Sequence, residues 1–470
     1  MELGWFLALE IVWVLALAVW IVLEKRPAAS TLAWIFGLAF LPVAGLFVYY
    51  LIGPRRLARR SERYRQTLDE LFPGGAPWSP PRALSRDIGR QVRLAVGAAD
   101  APLLDAAQWE IYTEGTPFFA ALFDQIDRAR HHVHLETYIW EPGRTSDDLL
   151  TRLVERVGAG VEVRLLLDGV GATGRRERDF APLRAAGGEV EIFNPLRLGL
   201  VRSRFLNFRS HRKIAVIDGH VGFTGGMNVS DRQTTGADGE PPWRDTQIRL
   251  AGQAVHGLQA VFAQNWGSTC SRPLTGDDYF PPAAGVGRGT PAQVVASGPD
   301  RAVYPLHELL VSAISAADER VWLVTPYFVP DEPLVTALRT AAHRGVDVRL
   351  LVPRRGDSRL VTAAMRSFFD ELTASGARVF EYLPRMLHAK TALVDNELAL
   401  VGTANLDNRS FRLNFEVAVA LHGAEPAAAL AGSFARDLRD AAEVPRGRAR
   451  VVSFPIRLAE ASARLLAPVL

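Results

Sequence analysis

"HRKIAVID", residues 211–218, returns as "HAKTALVD" at residues 388–395. In both, His-x-Lys is followed by four residues and an aspartate, and the two histidines stand 177 positions apart (388 − 211). Among 54 Lys plus Arg the chain holds three lysines, Lys25, Lys213 and Lys390, so two of the three occupy one pattern. A chain that writes nearly every cation as arginine has kept a compact ammonium at these two places, where a planar guanidinium would present a different fork of donors. In an extended strand residues two apart share a face, which sets His211 beside Lys213 and His388 beside Lys390. The intervening "IAVI" and "TALV" read as short strands, and "DG" and "DN" as the turns that end them, with Asp218 and Asp395 at the strand ends.

Self-comparison extends the repeat on both sides. Residues 118–140 ("FFAALFDQIDRARHHVHLETYIW") align with 306–328 ("LHELLVSAISAADERVWLVTPYF"), each an amphipathic helix running into a strand. "GVEVRLLLD" (160–168) matches "GVDVRLLVP" (345–353), and "AAGGEVEIFNP" (185–195) matches "ASGARVFEYLP" (374–384). After the motifs, "GGMN" (225–228) lies over "GTAN" (402–405), and "DTQIRLAG" (245–252) over "EVAVALHG" (416–423). Alternating helices and short apolar strands predict an α/β fold of two duplicated lobes, each on a mixed sheet. The offset falls from 189 at Pro195 and Pro384 to 177 at the histidines, so the first half carries twelve extra residues (189 − 177) just before His211. That insertion holds Arg197, Arg202, Arg204, Phe205, Phe208 and Arg209, a set suited to a phosphate headgroup and a lipid surface, or to a merely solvated basic loop.

The chain has 470 residues, 48% hydrophobic and 22% charged, which is ordinary globular composition. A net charge of +3 implies no global field for nucleic acid. Cys270 is the single cysteine, which excludes an internal disulfide and disfavours a Cys/His zinc site. The N-terminus departs from this average. From Leu3 to Leu23 it is apolar but for Glu10, and from Thr31 to Ile52 it carries no charge. Each run is long enough to cross about 30 Å of hydrocarbon as a helix, so a two-helix transmembrane hairpin is expected over residues 1–53. The connector "EKRPAAS" keeps both outer ends on one side, and the arginines at 55, 56, 59, 60, 63 and 65 place the remainder of the chain in the cytoplasm by the positive-inside rule. "MELGW" lacks the basic start of a cleaved signal peptide. The expected order is hairpin 1–53, linker and lead-in 54–110, first lobe 111–290, second lobe 291–445 and an amphipathic C-terminal segment 446–470. In that segment Phe454, Leu458, Ala461 and Leu465 fall on one helical face, for a membrane surface or for packing on the domain.

A His/Lys/Asn face from one lobe is half of a site. Two such faces meeting at a pseudo-twofold axis would surround one phosphodiester with His211, Lys213 and Asn228 on one side and His388, Lys390 and Asn405 on the other. Phosphoryl transfer needs preorganised cationic donors, an in-line nucleophile and a proton donor for the leaving oxygen. Two imidazoles can divide these roles without a metal or other cofactor, one attacking phosphorus and the other protonating the departing alkoxide. Asp245 and Glu416, aligned at the heads of matching strands, are the candidates to fix the histidine tautomers.

"HRKIAVIDGHVGFTGGMN" and "HAKTALVDNELALVGTANLDNRSFRLNFE" resemble the paired motifs of the phospholipase D superfamily. With the N-terminal hairpin, "HLETYIW", "TPYFVPD", "NFRSHRK" and "LNFE", the chain is similar over nearly its whole length to the membrane-anchored cardiolipin synthases of bacteria. The resemblance implies two phospholipase D-like lobes forming one active site, and transfer of a phosphatidyl group between two phosphatidylglycerols with release of glycerol, through a phosphatidyl-histidine and without a metal. It assigns His211, Lys213, Asp218, His388, Lys390 and Asp395 to the catalytic motifs, with Asn228, Asn405, Asp245, Glu416, Glu136, Tyr138 and Arg209 in support. The position of the two aspartates at strand ends points instead to scaffolding, and His211 is taken as the nucleophile. Thr403 stands where many relatives have serine. Expected partners are phosphatidylglycerol and other anionic phospholipids in the bacterial inner membrane, not nucleic acid; a homo-oligomer is allowed and not demanded. A phospholipase D, another phosphatidyltransferase such as a phosphatidylserine synthase, and an inactive lipid-binding anchor are the alternatives.

Overall fold

A computed structural model describes residues 2–23, 28–41, 45–46, 49, 86–174, 177–195, 207–272, 274, 276–282, 289–445 and 452–467. The chain divides into two compact units, Met1–Arg55 with Leu196–Phe208, and Arg56–Pro195 with Arg209–Leu470. In the first unit, helix Glu2–Leu23 is followed by helix Ala28–Phe40, and Ile21, Leu38 and Tyr49 form its small core. The second helix stops just ahead of Pro42, whose ring disfavours a helical conformation in the residue before it. Its 13 residues rise about 20 Å, short of the hydrocarbon thickness. Among the described residues no helix is long and apolar enough to cross a membrane. Of the expected second span, Thr31–Ile52, the described helical residues are 31–40, 45–46 and 49, and the arginines that oriented it, at 55–65, lie outside the described residues. So do Arg197, Arg202, Arg204 and Phe205 of the insertion.

The second unit carries the duplication. Its first lobe holds β1 (Leu104–Tyr112), β2 (His132–Thr137), β3 (Glu162–Asp168), β4 (Glu189–Phe193), β5 (Ile214–Ile217), β6 (Val221–Gly225) and β7 (Gln247–Gly252). The second lobe holds β8 (Thr290–Ser297), β9 (Arg320–Val324), β10 (Phe328–Val329), β11 (Asp347–Pro353), β12 (Arg378–Tyr382), β13 (Thr391–Val394), β14 (Leu398–Gly402), β15 (Leu406–Asp407), β16 (Glu416–His422) and β17 (Ala441–Glu443). Except for the short parallel pair β10–β15, they form one sheet. Outward from the antiparallel central pair β1–β8, the order is β7-β6-β5-β2-β3-β4 in one direction and β16-β14-β13-β9-β11-β12-β17 in the other. The two orders are the same strand for strand up to β4 and β12, as a pseudo-twofold axis between β1 and β8 requires.

Each half is mixed. β2, β3 and β4 run parallel, as do β9, β11 and β12, while β5, β6 and β7 and their twins β13, β14 and β16 pair antiparallel. The strands are buried almost end to end, as expected of sheets covered by helices on both faces. The first-lobe core packs Phe118, Leu122, Leu149, Val163 and Leu165, and the second-lobe core Leu309, Leu338, Leu350, Val379 and Leu400. Because β5 is antiparallel to β2 with Ile214 opposite Glu136, the residues entering β5 lie at the carboxyl end of the parallel strands. Open α/β sheets place their sites at that edge, and His211 and Lys213 stand there.

Candidate active site

Between the lobes the chain makes a reciprocal backbone exchange. His211 donates its N–H to the Phe415 carbonyl at 2.9 Å, and Phe415 donates back to the Arg209 carbonyl at 2.8 Å. His388 donates to the Arg244 carbonyl at 2.7 Å, and Arg244 to that of Met386 at 2.9 Å. Each motif histidine is therefore tied to the residue preceding the other lobe's carboxylate. The side chains follow the same crossing. His211 Nδ1 lies 3.1 Å from Glu416 Oε2, and His388 Nδ1 lies 2.6 Å from Asp245 Oδ2. Each lobe thus orients the other lobe's imidazole through Nδ1, which turns the chemistry to Nε2; that of His388 also lies 3.1 Å from Lys390 Nζ. All four groups are buried.

The lysines differ in their contacts. Lys213 Nζ donates to the His211 carbonyl at 2.8 Å and stands 5.3 Å over the Tyr138 ring, which meets the His211 ring edge-on at 4.9 Å. Lys390 Nζ donates to the His388 carbonyl and also lies 2.9 and 3.1 Å from the two ring nitrogens of His388. Burial drives both ammonium groups down, to about 7 for Lys213 and about 8 for Lys390, opposed chiefly by Glu416 and by Asp245 respectively. Burial also holds His211 at about 4 against the pull of Glu416, and it lowers His388 with help from Lys390. Burial alone would push Asp245 and Glu416 up, but the facing histidines and lysines outweigh it and both carboxyls end below the usual range. Lys390 acts on His211 and Lys213 on His388, so the two halves share one electrostatic environment.

The sequence-expected residues fall into distinct places. Asn228 accepts the Ile139 N–H at 3.2 Å and so pins the segment that follows β2. Asn405 is buried and its Oδ1 has no protein partner, an acceptor left open in the second half. Glu136 accepts from Ser210 and from Asn265 Nδ2, bracing the residue before His211. Arg209 is buried, donates to the Asn194 carbonyl at 2.9 Å and pairs with Asp168 at 3.5 Å; it supports the chain entering the motif and is not an exposed headgroup clamp. Asp218 and Asp395, which the resemblance assigns to the catalytic motifs, sit at strand ends with their carboxylates on backbone N–H groups. Asp218 accepts the N–H groups of Arg130, His131 and His132, and Asp395 those of Asp318, Glu319 and Arg320, each closing the start of the neighbouring parallel strand. They stand at the far end of a four-residue strand from the lysines, about 13 Å along the chain, out of reach of the reacting phosphorus.

Seven residues joined the site without a sequence signal of their own. Asp168 accepts the Ser210 N–H at 2.8 Å, but its aligned partner is Pro353, so the repeat hid it. Trp243 packs 5.1 Å from the His388 ring, and its twin is Asn414, which donates to Glu416 Oε1 at 3.2 Å. Tyr327 donates to Asp357, and both Asp357 and Asp407 act on Lys390. Arg409 acts on Tyr138. Among the described residues no group of three or more His, Cys, Asp or Glu is spaced to hold a metal ion.

A duplicated α/β frame with one His-Lys pair from each lobe, each imidazole held by the opposite lobe's carboxylate, defines a two-lobed phospholipase D-like protein. The "Cardiolipin synthase, PLD-like domain" model matches residues 122–251 and 310–438, and a "Phospholipase D-nuclease N-terminal" model matches 11–54. The cardiolipin synthase of Geobacillus kaustophilus is 38% identical over 474 residues, covering 100% of this chain and 94% of the relative. That of Halalkalibacterium halodurans is 35% identical, covering 99% and 94%. The chain belongs to the cardiolipin synthase family of phospholipase D-like proteins. Among solved structures, a phosphatidylserine synthase of Haemophilus influenzae superposes with a TM-score of 0.61 at 14% identity over 81% of this chain and all of that one, a likeness of fold.

Proposed function

We propose that the protein is a phosphatidyltransferase that makes cardiolipin from two molecules of phosphatidylglycerol. The observation that carries this reading is the crossed pairing of His211 with Glu416 and His388 with Asp245 around two buried lysines, in a chain of this family. His211, kept neutral by burial and held by the longer carboxylate contact, attacks phosphorus through Nε2. His388, whose imidazolium Asp245 stabilises from 2.6 Å against burial and Lys390, protonates the departing glycerol oxygen. The P–O bond to glycerol breaks as the P–N bond forms, giving a phosphatidyl-histidine. His388 then takes the proton of the terminal glycerol hydroxyl of a second phosphatidylglycerol, whose oxygen attacks phosphorus and frees His211. Lys213 and Lys390, near neutrality when the site is empty, hold the diester oxygens once the anion supplies the missing countercharge.

The N-terminal helices anchor the enzyme in the bacterial inner membrane, with the lobes on the cytoplasmic side. Support comes from the exposed apolar side chains gathered there, Val12, Leu15, Val19, Trp20, Phe36 and Phe40. The test is incubation of the purified full chain, reconstituted in vesicles, with phosphatidylglycerol labelled in its free glycerol. Cardiolipin and glycerol in equal amounts are expected; phosphatidic acid as the sole lipid product would make the enzyme a hydrolase and overturn the reading.

A further inference from the structure

Helix Phe454–Arg464 is inside out for a helix packed on a soluble domain. Amphipathic helices normally bury their large apolar side chains and expose their carboxylates. Here Glu460, its single carboxylate, is 5% exposed, while Phe454 is 76% and Leu458 54% exposed, and Leu465 just beyond the helix is 80%. Small residues face the protein, Ala463 and Ala467 being buried. The seating is specific: Arg464 pairs with Glu371 at 3.0 Å and covers the Phe368 ring at 4.1 Å. The outward apolar face is thus held in place and is not a frayed end. The helix packs along Arg359–Arg366, which adds the exposed Leu360.

Position and charge identify what covers it. The Ala467 carbonyl accepts from Asn408 Nδ2 at 3.1 Å, three residues beyond Asn405, and Asp407 between them acts on Lys390. Asp357, two residues before Arg359, also acts on Lys390 and is held by Tyr327. Both ends of the helix pair therefore begin at the catalytic lysine's surroundings. The exposed charges along it are Arg354, Arg355, Arg359 and Arg457 against Asp357, which Tyr327 holds, so cations predominate. We infer that the outward face of Phe454–Leu466 together with Leu360 lies in the surface of an anionic bilayer and holds the mouth of the site against the lipid from which substrate enters. An apolar face fringed by arginine beside the reacting groups is the form of an interfacial helix. A second copy of the chain would leave those arginines facing one another. The inference rests on the phosphatidyl-transfer reading for the identity of what enters.

The test uses the full chain in vesicles of phosphatidylcholine and phosphatidylglycerol. With Leu458→Cys on a Cys270→Ser background carrying an environment-sensitive dye, brominated phosphatidylglycerol is expected to quench the dye, and no quenching overturns the inference. A blue shift without quenching means that a second copy covers the face and also overturns it. In a separate arm, Leu458→Glu with Leu465→Glu is expected to lower turnover of long-chain phosphatidylglycerol in the bilayer about tenfold, a loss of about 1.4 kcal/mol. Turnover of a short-chain, monomeric phosphatidylglycerol is expected to be unchanged, and an equal fall on both substrates makes the helix structural and overturns the docking role. Quenching in the labelled chain, together with a wild-type chain that makes no cardiolipin, would leave the docking face standing and remove the transfer reading instead.

Discussion

The two halves of the site share one frame and differ in how that frame is filled. In the half around His388, Asp245 is the short carboxylate, its contact with the imidazole is 2.6 Å, and Gly226 stands behind it. In the half around His211, Glu416 is one methylene longer, the contact is 3.1 Å, and Thr403, the twin of Gly226, donates its hydroxyl to the same carboxylate oxygen. A methyl group at Gly226 would meet Asp245 Oδ1 at 2.0 Å, so the glycine makes room for the tighter pair. The hydroxyl of Thr403 draws electron density from Glu416 and leaves a weaker acceptor for His211. Duplication supplied two equivalent histidines; on the proposed mechanism these neighbours divide the roles of proton carrier and nucleophile between them.

The comparison breaks most completely at the histidines. His211→Ala and His388→Ala are each expected to lower turnover by roughly 10⁴-fold or more. They should differ in kind: with a chemically activated phosphatidyl donor, whose leaving group needs no proton, His388→Ala should still form the phosphatidyl-enzyme detected by intact mass, and His211→Ala should not. A covalent adduct on His388 would reverse the assignment. Asp245→Asn and Glu416→Gln leave the shapes intact but remove the groups that set the tautomers, for losses of about 10²–10⁴-fold in kcat. Asp245→Asn should be the more severe, since the closer pair carries more charge. Gly226→Ala is expected to cost about 10²-fold by displacing Asp245, with the fold retained by circular dichroism. The lysines sharpen the comparison by pH. Both must be charged to hold the diester, and burial leaves them at about 7 and 8, so kcat/KM should fall as pH rises through that window at the latest, with loss of the His388 proton adding to the same alkaline limb. On the acid side it should hold until His211 begins to protonate, towards about 4. A flat profile from pH 6 to 10 would exclude buried lysines of lowered pKa from the site.

Much of this was readable in the chain because it was written twice. The repeat spacing predicted two duplicated α/β lobes and singled out His211, Lys213, Asn228, His388, Lys390 and Asn405 as one candidate site, and the strand-end turns set Asp218 and Asp395 where their carboxylates accept backbone N–H groups. The crossing of Asp245 to His388 and of Glu416 to His211 was not legible. Alignment identifies the carboxylates as twins, but which histidine each faces is set by the exchange of backbone hydrogen bonds between residues 209–211 and 415 and between 244 and 386–388, contacts distant in sequence. Asp168 and Trp243 were hidden for a related reason, since their twins are Pro353 and Asn414 and the repeat carries no signal where the halves diverge. Arg209 misled by its neighbours: an arginine among arginines reads as a headgroup contact, whereas the fold buries it against Asp168. For the N-terminal hairpin, hydropathy runs on through Pro42, whereas the described residues give a continuous helix to Phe40 and leave out residues 42–44.

The smallest change tests the origin of the asymmetry most directly. Thr403→Val keeps the shape of the side chain and removes the hydroxyl, leaving Glu416 with His211 and Asn414 as side-chain partners. The same hydroxyl accepts the Val417 N–H at 3.0 Å, so two bonds are lost, together worth about 2 kcal/mol, or about thirtyfold. The freed lone pair strengthens the acceptor facing His211 and should raise the pKa of its imidazole. The acid limb of kcat/KM should then move upward in pH while the alkaline limb, set by the lysines and the His388 proton, stays in place. A fall in kcat at all pH values with no movement of the acid limb would mean that Thr403 only positions Glu416. The inequality of the two histidines would then rest on the carboxylate distances alone.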